Sequence, residues 1–374
     1  MRWAWAEVDL DAIAHNVGVI RNRVAPSAVW VVVKADAYGH GAVPVARAAL
    51  SGGAEGLCIA LVSEGAELRA AGIEAPILIL SQQPPDAADL IVRHRLTPTV
   101  YSIAMVDALS SAVHRASASR YPVHLKIDTG MHRVGVQPDE AVIVADAVAA
   151  HPQLELQGVF THLAMADEPD APANGRQLEL FDRALDALRG AGHHPSMVHA
   201  LNSAGALTRP DARHHMVRVG IAMYGVMPSP QLAGECADLR PALALRARVS
   251  HVNRVAAGEG VSYGLRHVFA RDTSVATVPI GYADGAPRRL FAGGAAVLIG
   301  GVRRPIVGVV TMDQLMVDCG DDAVAVGDEV TLLGRERSPD VHNEIRVEEW
   351  ADRLGTIGYE ILCGISKRID RTYP

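Results

Sequence analysis

The sequence is poor in cysteine and contains no long apolar stretch. Four cysteines occur among 374 residues, and none lies within four positions of another. The absence of a CxxC pair argues against a zinc ribbon or a thioredoxin-like centre, and so few thiols fit a reducing compartment. No apolar run approaches the roughly 18 residues of a membrane span. The N-terminal segment turns acidic at once, unlike a signal peptide. We therefore expect a cytoplasmic protein without a membrane segment.

An excess of basic residues is also missing. The chain has 35 Lys and Arg against 42 Asp and Glu, a formal net charge of −7, which argues against nucleic acid as a partner. Sixteen histidines are present, but no HExxH or similar ligand spacing, so we expect no metal site. The composition, 49% hydrophobic and 21% charged, is that of a soluble globular protein, and the length favours two domains.

The first part of the chain alternates between two kinds of segment. Short apolar, β-rich runs lie at Val29–Val33, Gly56–Val62, Pro76–Leu80, Thr97–Tyr101, Pro122–Ile127, Leu154–Thr161, Ser196–Ala200 and His215–Val219. Segments with helical spacing separate them, among them Ala42–Leu50, Ser63–Ala71, Asp86–Arg93, Ile103–Ala116, Asp139–Ala150 and Gly175–Arg189. Eight βα units in about 200 residues favour a closed TIM-type (β/α)₈ barrel, with a doubly wound open sheet as the alternative.

The pattern changes near residue 239. Short Val-rich runs then alternate with Gly-rich turns, at Arg246–Val255, Thr273–Pro279, Gly294–Gly300, Val302–Val310, Gln314–Asp318 and Glu329–Leu333. Helical spacing returns only at Val347–Arg353. We therefore predict an α/β fold in which a barrel (residues 1–238) is followed by a mainly β C-terminal domain (residues 239–374).

Catalytic groups of such a barrel sit at the C-terminal ends of its strands. Lys34 ends the first apolar run, where burial would favour the neutral amine that Schiff-base chemistry requires. The alternative is a lysine that extends to solvent. Further polar or small residues follow later runs: Lys126, Asp128, Arg133, His162, Asn202, Ser203, Gly220 and Ile221. Those after the last two strands suit a phosphate site, and Arg218 lies inside an apolar run.

Tyrosine is scarce, and its placement is informative. Five of the eight tyrosines adjoin a glycine, namely Tyr38, Tyr224, Tyr263, Tyr282 and Tyr359. Because glycine permits sharp turns and close approach, we expect these tyrosines to present their hydroxyls. For Tyr263, an aromatic ring that merely caps a turn is an equally good interpretation.

The segment Lys34–Gly41 is similar to the pyridoxal-phosphate attachment motif of bacterial alanine racemases. The resemblance continues through residues 5–12, 126–133, 160–163, 202–203, 217–225, 261–264, 279–285, 312–314 and 358–360. In this order and spacing the short motifs are highly specific. The resemblance implies a (β/α)₈ barrel followed by a β domain. It also implies interconversion of L- and D-alanine with pyridoxal 5′-phosphate, supplying D-alanine for peptidoglycan.

The resemblance further implies a role for each candidate residue. Lys34 would bind the cofactor covalently and act as the base for the D form, with Tyr263 as the base for the L form. Tyr263 would come from the partner subunit of a homodimer with shared active sites. Arg218 would face the pyridine nitrogen, and His162 would link it to Tyr263. Phosphate binding is the role implied for Tyr38, Ser203, Gly220, Ile221 and Tyr359. Substrate contact is implied for Arg133, Met312 and Asp313, and Tyr282 would line the entry channel. Lys126 would be carbamylated and would then orient Arg133.

Several alternatives stay open. A related racemase could prefer serine or a broader set of amino acids. A non-catalytic cofactor-binding protein would resemble a lone barrel, so the second domain and Tyr263 count against it. A decarboxylase would need a Cys-Asp site, which Cys319-Gly320-Asp321 matches poorly. Thr311, where many members have Cys, and the tail at 363–370 depart from the family pattern. Neither departure touches the chemistry, although the tail puts local packing in doubt.

Overall fold

The computed structural model describes residues 2–118, 120–336 and 343–374. The strands in these ranges are β1 Ala4–Val8, β2 Ala28–Val32, β3 Gly56–Ile59, β4 Ile77–Ile79, β5 Thr99–Val100, β6 Tyr121–Lys126, β7 Leu154–Phe160, β8 Met197–His199, β9 Met216–Val219, β10 Leu243–Arg248, β11 His251–Val255, β12 Gly260–Val261, β13 His267–Val268, β14 Thr273–Val278, β15 Ala296–Ile299, β16 Val302–Val307, β17 Leu315–Gly320, β18 Glu329–Arg335, β19 Glu344–Ile345 and β20 Asp370–Thr372.

The helices in the same ranges are α1 Leu10–Val24, α2 Lys34–Gly39, α3 Ala42–Ser51, α4 Val62–Ala70, α5 Ala88–Arg93, α6 Ile103–Arg115, α7 Ala141–Ala149, α8 Pro172–Gly190, α9 Ser203–Thr208, α10 Val347–Leu354 and α11 Gly358–Gly364. None of these described helices has both the length and the apolar character needed to cross a bilayer.

Strands β2 to β9 form a ring of parallel strands. Two four-stranded sheets, in the orders β4-β3-β2-β9 and β5-β6-β7-β8, supply the strands. Leu78 bridges to Thr97 between β4 and β5, and His215 donates its backbone N–H to the Val198 carbonyl between β8 and β9. The ring is therefore closed, which confirms the predicted (β/α)₈ barrel and makes the open-sheet alternative wrong.

Burial explains why these segments form strands and helices. The strands of the ring are apolar almost throughout, and all four residues of β3 are buried, as expected for strands covered on both faces. The surrounding helices bury one side only. In α6, Met105, Val106 and Leu109 are buried, and the Ser102 hydroxyl caps the helix by accepting the Met105 backbone N–H.

Two predicted runs have the wrong limits. The run Gly56–Val62 ends as a strand at Ile59, because the Glu64 carboxylate accepts the N–H groups of Ala60 and Leu61 and starts α4 at Val62. The run Arg246–Val255 is two strands, β10 and β11. The chain changes partners at Val249 and Ser250, whose N–H groups bond the carbonyls of Asp328 and Thr277.

The chain divides into two compact units. The barrel unit comprises Asp11–Ala37 and Ala42–Arg240. The sheet unit comprises the residues up to Leu10, Tyr38–Gly41 and Pro241–Pro374. The predicted boundary at residues 238 and 239 stays a prediction.

The sheet unit is built on one large sheet. Its strands follow the order β11-β14-β17-β16-β15-β18-β10-β1-β20, with β19 paired to β18. All neighbours are antiparallel except β1 and β20, which pair in parallel. Strand β1 is not among the predicted runs. Its five residues alternate between buried and half-buried, and so short a pattern is not a clear strand signal in the sequence. The predicted mainly β character of this region is confirmed.

Gly56 provides a test of barrel packing. It pairs with Trp30 across β2 and β3, and a Cβ at this position would overlap the indole ring. We expect Gly56→Ala to lower the free energy of unfolding by about 1–3 kcal/mol through overpacking. The midpoint of urea unfolding measures the change. The matched control is Gly175→Ala in α8, where a Cβ meets open space. In this control the free energy of unfolding should rise by a few tenths to about 1 kcal/mol. Equal urea midpoints for the two variants would contradict the overpacking at Gly56.

Candidate functional site

Lys34 stands where β2 gives way to a left-handed turn. The residues Ala35 to Tyr38 all have φ between 51° and 54°, a region that non-glycine residues rarely adopt. Each such residue costs about 1–2 kcal/mol, so local hydrogen bonds must hold the turn. The Glu64 carboxylate accepts the Ala35 N–H at 2.7 Å, and the Asp36 carboxylate accepts the Ala42 N–H at 2.8 Å. Lys34 itself is half-buried at the C-terminal end of the barrel.

Arg218 is a buried cation on β9, only 3% exposed. Its Nη2 donates to the carbonyls of Thr161 and Ala200 at 2.8 and 2.9 Å. Its Nη1 lies 2.6 Å from His199 Nδ1, and its Nη2 lies 3.2 Å from His162 Nδ1. The guanidinium carbon also lies 5.2 Å from the centre of the Phe160 ring. Burial lowers the pKa of Arg218 to about 10, which still leaves the group charged at neutral pH.

The histidines around Arg218 are held neutral. Burial, together with the positive charge of Arg218, lowers the pKa of His162 and of His199 well below the usual value. Burial also lowers the pKa of His124 to about 4. A guanidinium can only donate, so a neutral imidazole nitrogen is the acceptor that it requires. Both His162 and His199 therefore present an unprotonated Nδ1 to Arg218.

Lys126 ends β6 and is 5% exposed. Burial, and then the nearby charges of Arg218 and Arg133, lowers its pKa to about 7, although Asp128 opposes the shift. Asp128 Oδ1 accepts three successive backbone N–H groups, those of residues 130, 131 and 132, at 3.0 Å each. These bonds fix the turn that carries the exposed Arg133. An amine with this pKa is partly neutral at physiological pH.

The last two βα loops meet through Ser203. Its Oγ accepts the N–H groups of Gly220 at 2.9 Å and of Ala222 at 3.4 Å. Ser203 begins α9 and Ile221 begins a 3₁₀ turn, so the N–H groups at both starts have no acceptor within their own helix. Asn202 caps α9 by accepting the Gly205 N–H. The two loops thus present several backbone donors at neighbouring strand ends, as a phosphate site requires.

The remaining predicted residues lie in the sheet unit. The rings of Tyr38 and Tyr359 lie 5.8 Å apart. Tyr263 opens a short 3₁₀ turn and is 72% exposed. The loop with Met312 and the turn with Tyr282 are joined by backbone bonds, from Tyr282 N–H to Thr311 and from residue 283 to Met312, each 3.0 Å long. The Asp313 carboxylate accepts from Arg368 Nη2 at 2.6 Å.

Sequence reasoning missed His124 and His199. Each lies in a mainly apolar run of the sequence and is itself fully buried. A polar residue in such a run is the signal that could have found them, since a buried polar side chain needs a partner. A second missed signal is the scarcity of lysine. The chain has three lysines, and two of them, Lys34 and Lys126, lie at the ends of barrel strands. In the described part of the chain, no cluster of His, Cys, Asp or Glu is arranged to hold a metal ion.

The low pKa of Lys126 makes stability depend on pH. Between its pKa of about 7 in the fold and the usual value near 10.5, the unfolded chain holds a proton that the folded chain has released. Stability from this group therefore rises with pH across that window, and below pH 7 its charge destabilises the fold. Lys126→Met should raise the thermal unfolding midpoint most near pH 6 and progressively less toward pH 10.

The matched control for this prediction is Lys367→Met, because Lys367 is exposed. It should change the midpoint equally little at every pH. Buffers free of carbon dioxide keep the Lys126 amine unmodified. A gain from Lys126→Met that does not vary with pH would contradict the lowered pKa.

Comparisons with known proteins agree with this architecture. The family profile "Alanine racemase, N-terminal domain" matches residues 8–228, and "Alanine racemase, C-terminal domain" matches residues 242–373. An alanine racemase of Symbiobacterium thermophilum is 46% identical over 374 residues, which cover 100% of this chain and 97% of that protein. Two solved structures have a similar fold over 100% of this chain. The first, alanine racemase from D-cycloserine-producing Streptomyces lavendulae, has TM-score 0.93 and 39% identity, with 97% of its chain covered. The second, alanine racemase from Bacillus anthracis with bound L-Ala-P, has TM-score 0.92 and 39% identity, with 95% covered. The chain therefore belongs to the alanine racemase family.

Proposed function

We propose that this protein interconverts L- and D-alanine with pyridoxal 5′-phosphate, using Lys34 and Tyr263 as two bases. The observation that carries the proposal is the buried Arg218, whose Nη atoms are hydrogen-bonded, at the same end of the barrel as the Lys34 amine. Family membership supports the choice of alanine. When bound, pyridoxal 5′-phosphate draws electrons from the α-carbon of an amino acid and so acidifies its α-hydrogen.

The predicted binding residues fit this cofactor. The N–H groups of Ser203 and Ile221 suit its phosphate, and we assign Gly220 and the hydroxyls of Tyr38 and Tyr359 to the same group, with the Gly220 N–H also bonded to Ser203 Oγ. Lys34 would hold the aldehyde carbon covalently. Arg218 would face the pyridine nitrogen.

Arg218 sets the electronic character of the site. A guanidinium donates a hydrogen bond without giving up its proton, so Arg218 would not protonate the ring nitrogen. A cofactor held in this way would withdraw electrons from the substrate less strongly. We infer that this favours return of a proton to the α-carbon over side reactions such as transamination.

Racemisation requires a proton to leave one face of the α-carbon and another to arrive at the opposite face. We assign to the Tyr263 oxygen the removal of the α-proton of L-alanine. The protonated Lys34 amine would donate a proton to the opposite face of the α-carbon, and the roles exchange for D-alanine. Because His162 Nδ1 accepts from Arg218, its Nε2–H is available as a donor to the Tyr263 oxygen. We propose that Tyr263, 72% exposed within one chain, is contributed by a second copy in a homodimer.

The remaining residues bind and admit the substrate. We assign the substrate carboxylate to Arg133, with Met312 and Asp313 of the second copy nearby and Tyr282 lining the entry channel. The lowered pKa of Lys126 supports its carbamylation, since only a neutral amine adds carbon dioxide. The resulting anion would orient Arg133. We further propose that the enzyme is cytoplasmic and supplies D-alanine for peptidoglycan, in accord with its membership of the alanine racemase family.

The activity is tested by chiral chromatography of L-alanine incubated with the cofactor-loaded protein, with L-serine compared in parallel. The wild-type protein should produce D-alanine until the two forms are equal. Tyr263→Phe should lower kcat by about 10²–10⁴-fold, the usual contribution of a positioned proton-transfer group, while the absorbance of covalently bound cofactor is retained. Lys34→Ala should lose that absorbance.

Tyr121→Phe is the matched control. Its hydroxyl bonds only the carbonyls of Ile91 and Leu96, and the variant should racemise at the wild-type rate. Rapid racemisation by Tyr263→Phe would remove Tyr263 from the mechanism. Unchanged L-alanine from folded, cofactor-loaded wild-type protein would reject alanine as the substrate.

The shared active site is tested by combining two inactive variants. Lys34→Ala and Tyr263→Phe chains are coexpressed with different tags, and the mixed dimer is isolated. If each site takes its two bases from different copies, one of the two sites in that dimer is intact, so about half of the wild-type activity should return. Each variant dimer alone provides the baseline. An inactive mixed dimer would place both bases on one chain.

A further inference from the structure

A row of hydrogen bonds crosses the interior of the barrel beyond Arg218. His199 Nδ1 lies 2.6 Å from Arg218 Nη1, and His199 Nε2 lies 3.0 Å from His124 Nδ1. His124 Nε2 in turn lies 3.2 Å from Gln157 Oε1. The four side chains belong to β9, β8, β6 and β7, so the row connects four different strands of the ring.

The chemistry of the two ends, Arg218 and Gln157, together fixes the direction of every bond in the row. Arg218 can only donate, so His199 Nδ1 must accept and its proton must lie on Nε2. That proton is donated to His124 Nδ1, which places the His124 proton on Nε2. The last acceptor is the amide oxygen of Gln157. The row therefore has one permitted arrangement, with Gln157 terminating it.

The backbone of β7 is shaped for this termination. In the pairing of β6 with β7, Val123 lies opposite Leu156 and His124 lies opposite Gly158, so Gln157 is the extra residue of a bulge. A bulge redirects a side chain, and here it brings the Gln157 amide to the far nitrogen of His124. A Cβ at Gly158 would lie 2.5 Å from His124 Nδ1, so the imidazole needs glycine at that position. His124 and His199 are both fully buried, and exchange with solvent cannot supply other partners.

We propose that His124 and Gln157 are positioning residues for Arg218, which act by locking His199 in the tautomer that accepts from the guanidinium. Without an acceptor at position 157, a proton on His124 Nε2 is buried without a partner, and this cost favours a proton on Nδ1 instead. On Nδ1 the His124 proton faces the proton on His199 Nε2. The His199 proton then moves to its own Nδ1, where it faces the Arg218 guanidinium in place of an acceptor. The consequence for catalysis rests on the role of Arg218 in the proposed function, whereas the lock itself rests on the geometry alone.

The test compares two Gln-to-Met exchanges on the same strand region. Gln157→Met removes the terminal acceptor at nearly constant length. Gln153→Met is the matched control, because Gln153 is also half-buried and donates only to Ser110, outside the row. The first readout is the ring ¹⁵N and N–H signals of histidine-labelled protein, assigned with His124→Phe and His199→Phe. The second readout is kcat for L-alanine.

The wild-type protein and Gln153→Met should both show the His124 and His199 protons on Nε2. Gln157→Met should lose that pattern, and its kcat should fall about tenfold, the scale expected for one buried donor left without an acceptor. Gly158→Ala, which displaces the His124 ring while keeping Gln157, should lower kcat in the same direction. This second variant keeps the proposal testable if Gln157→Met does not fold.

Two results would overturn the proposal. Unchanged Nε2 protons in folded Gln157→Met would show that Gln157 does not set the tautomers. If Gln157→Met has altered tautomers but the same kcat as Gln153→Met, the tautomers of the two histidines do not position Arg218. Failure of the proposed function gives a different result, since a wild-type protein that does not racemise alanine still reports its tautomers in the spectrum.

Discussion

The site depends on one constraint, the burial of a guanidinium inside a closed barrel. A cation removed from water is tolerated only when its donors are satisfied. The Nη atoms of Arg218 meet this condition with two backbone carbonyls and two imidazole nitrogens, and the guanidinium also lies over the face of Phe160. The carbonyls come from the ends of β7 and β8, and they are available only because the ring of strands is closed. The fold and the charge are therefore linked, since neither the acceptors nor the exclusion of water exists without the barrel.

The same constraint dictates the chemistry of the neighbouring histidines. A protonated imidazole beside Arg218 would remove an acceptor and add a like charge, so the low pKa values of His162 and His199 are part of the support for the guanidinium. The polar residues inside the barrel thus form one hydrogen-bond network, in which the donor of each bond depends on the neighbouring bonds. Such networks are effective only when every member is satisfied.

The sequence predicts the architecture well because burial on both faces leaves a strong pattern. The eight apolar runs, their order and the polar residues at their ends are all visible from the residues. The left-handed turn after Lys34 is not, because its four positive φ values are held by Glu64 and Asp36 through contacts that no local preference of Ala35 or Ala37 indicates. The strand limits near Ile59 fail for a similar reason, since one carboxylate decides where the helix starts.

The residues of the candidate site also divide into those that the sequence predicts and those that it does not. Lys34, His162, Ser203 and Arg218 follow from their positions at strand ends or within them. His124 and Gln157 do not, since their partnership requires a bulge in β7 that shifts the register by one residue. A bulge is a property of two paired strands, and the sequence of either strand alone carries no mark of it.

The charges at the C-terminal end of the barrel also act on molecules that have not yet bound. The electrostatic neighbours of Lys126 include Lys34, Arg133 and Arg218, opposed by Asp128, and the adjacent histidines carry no charge. A chain with a net charge of −7 therefore carries a local group of cations, whose field is positive, at this end of the barrel. Low-dielectric walls focus such a field, which steers anionic molecules inward during diffusion. Counter-ions shorten the reach of the field, so the rate of encounter with phosphorylated or carboxylate ligands falls as ionic strength rises.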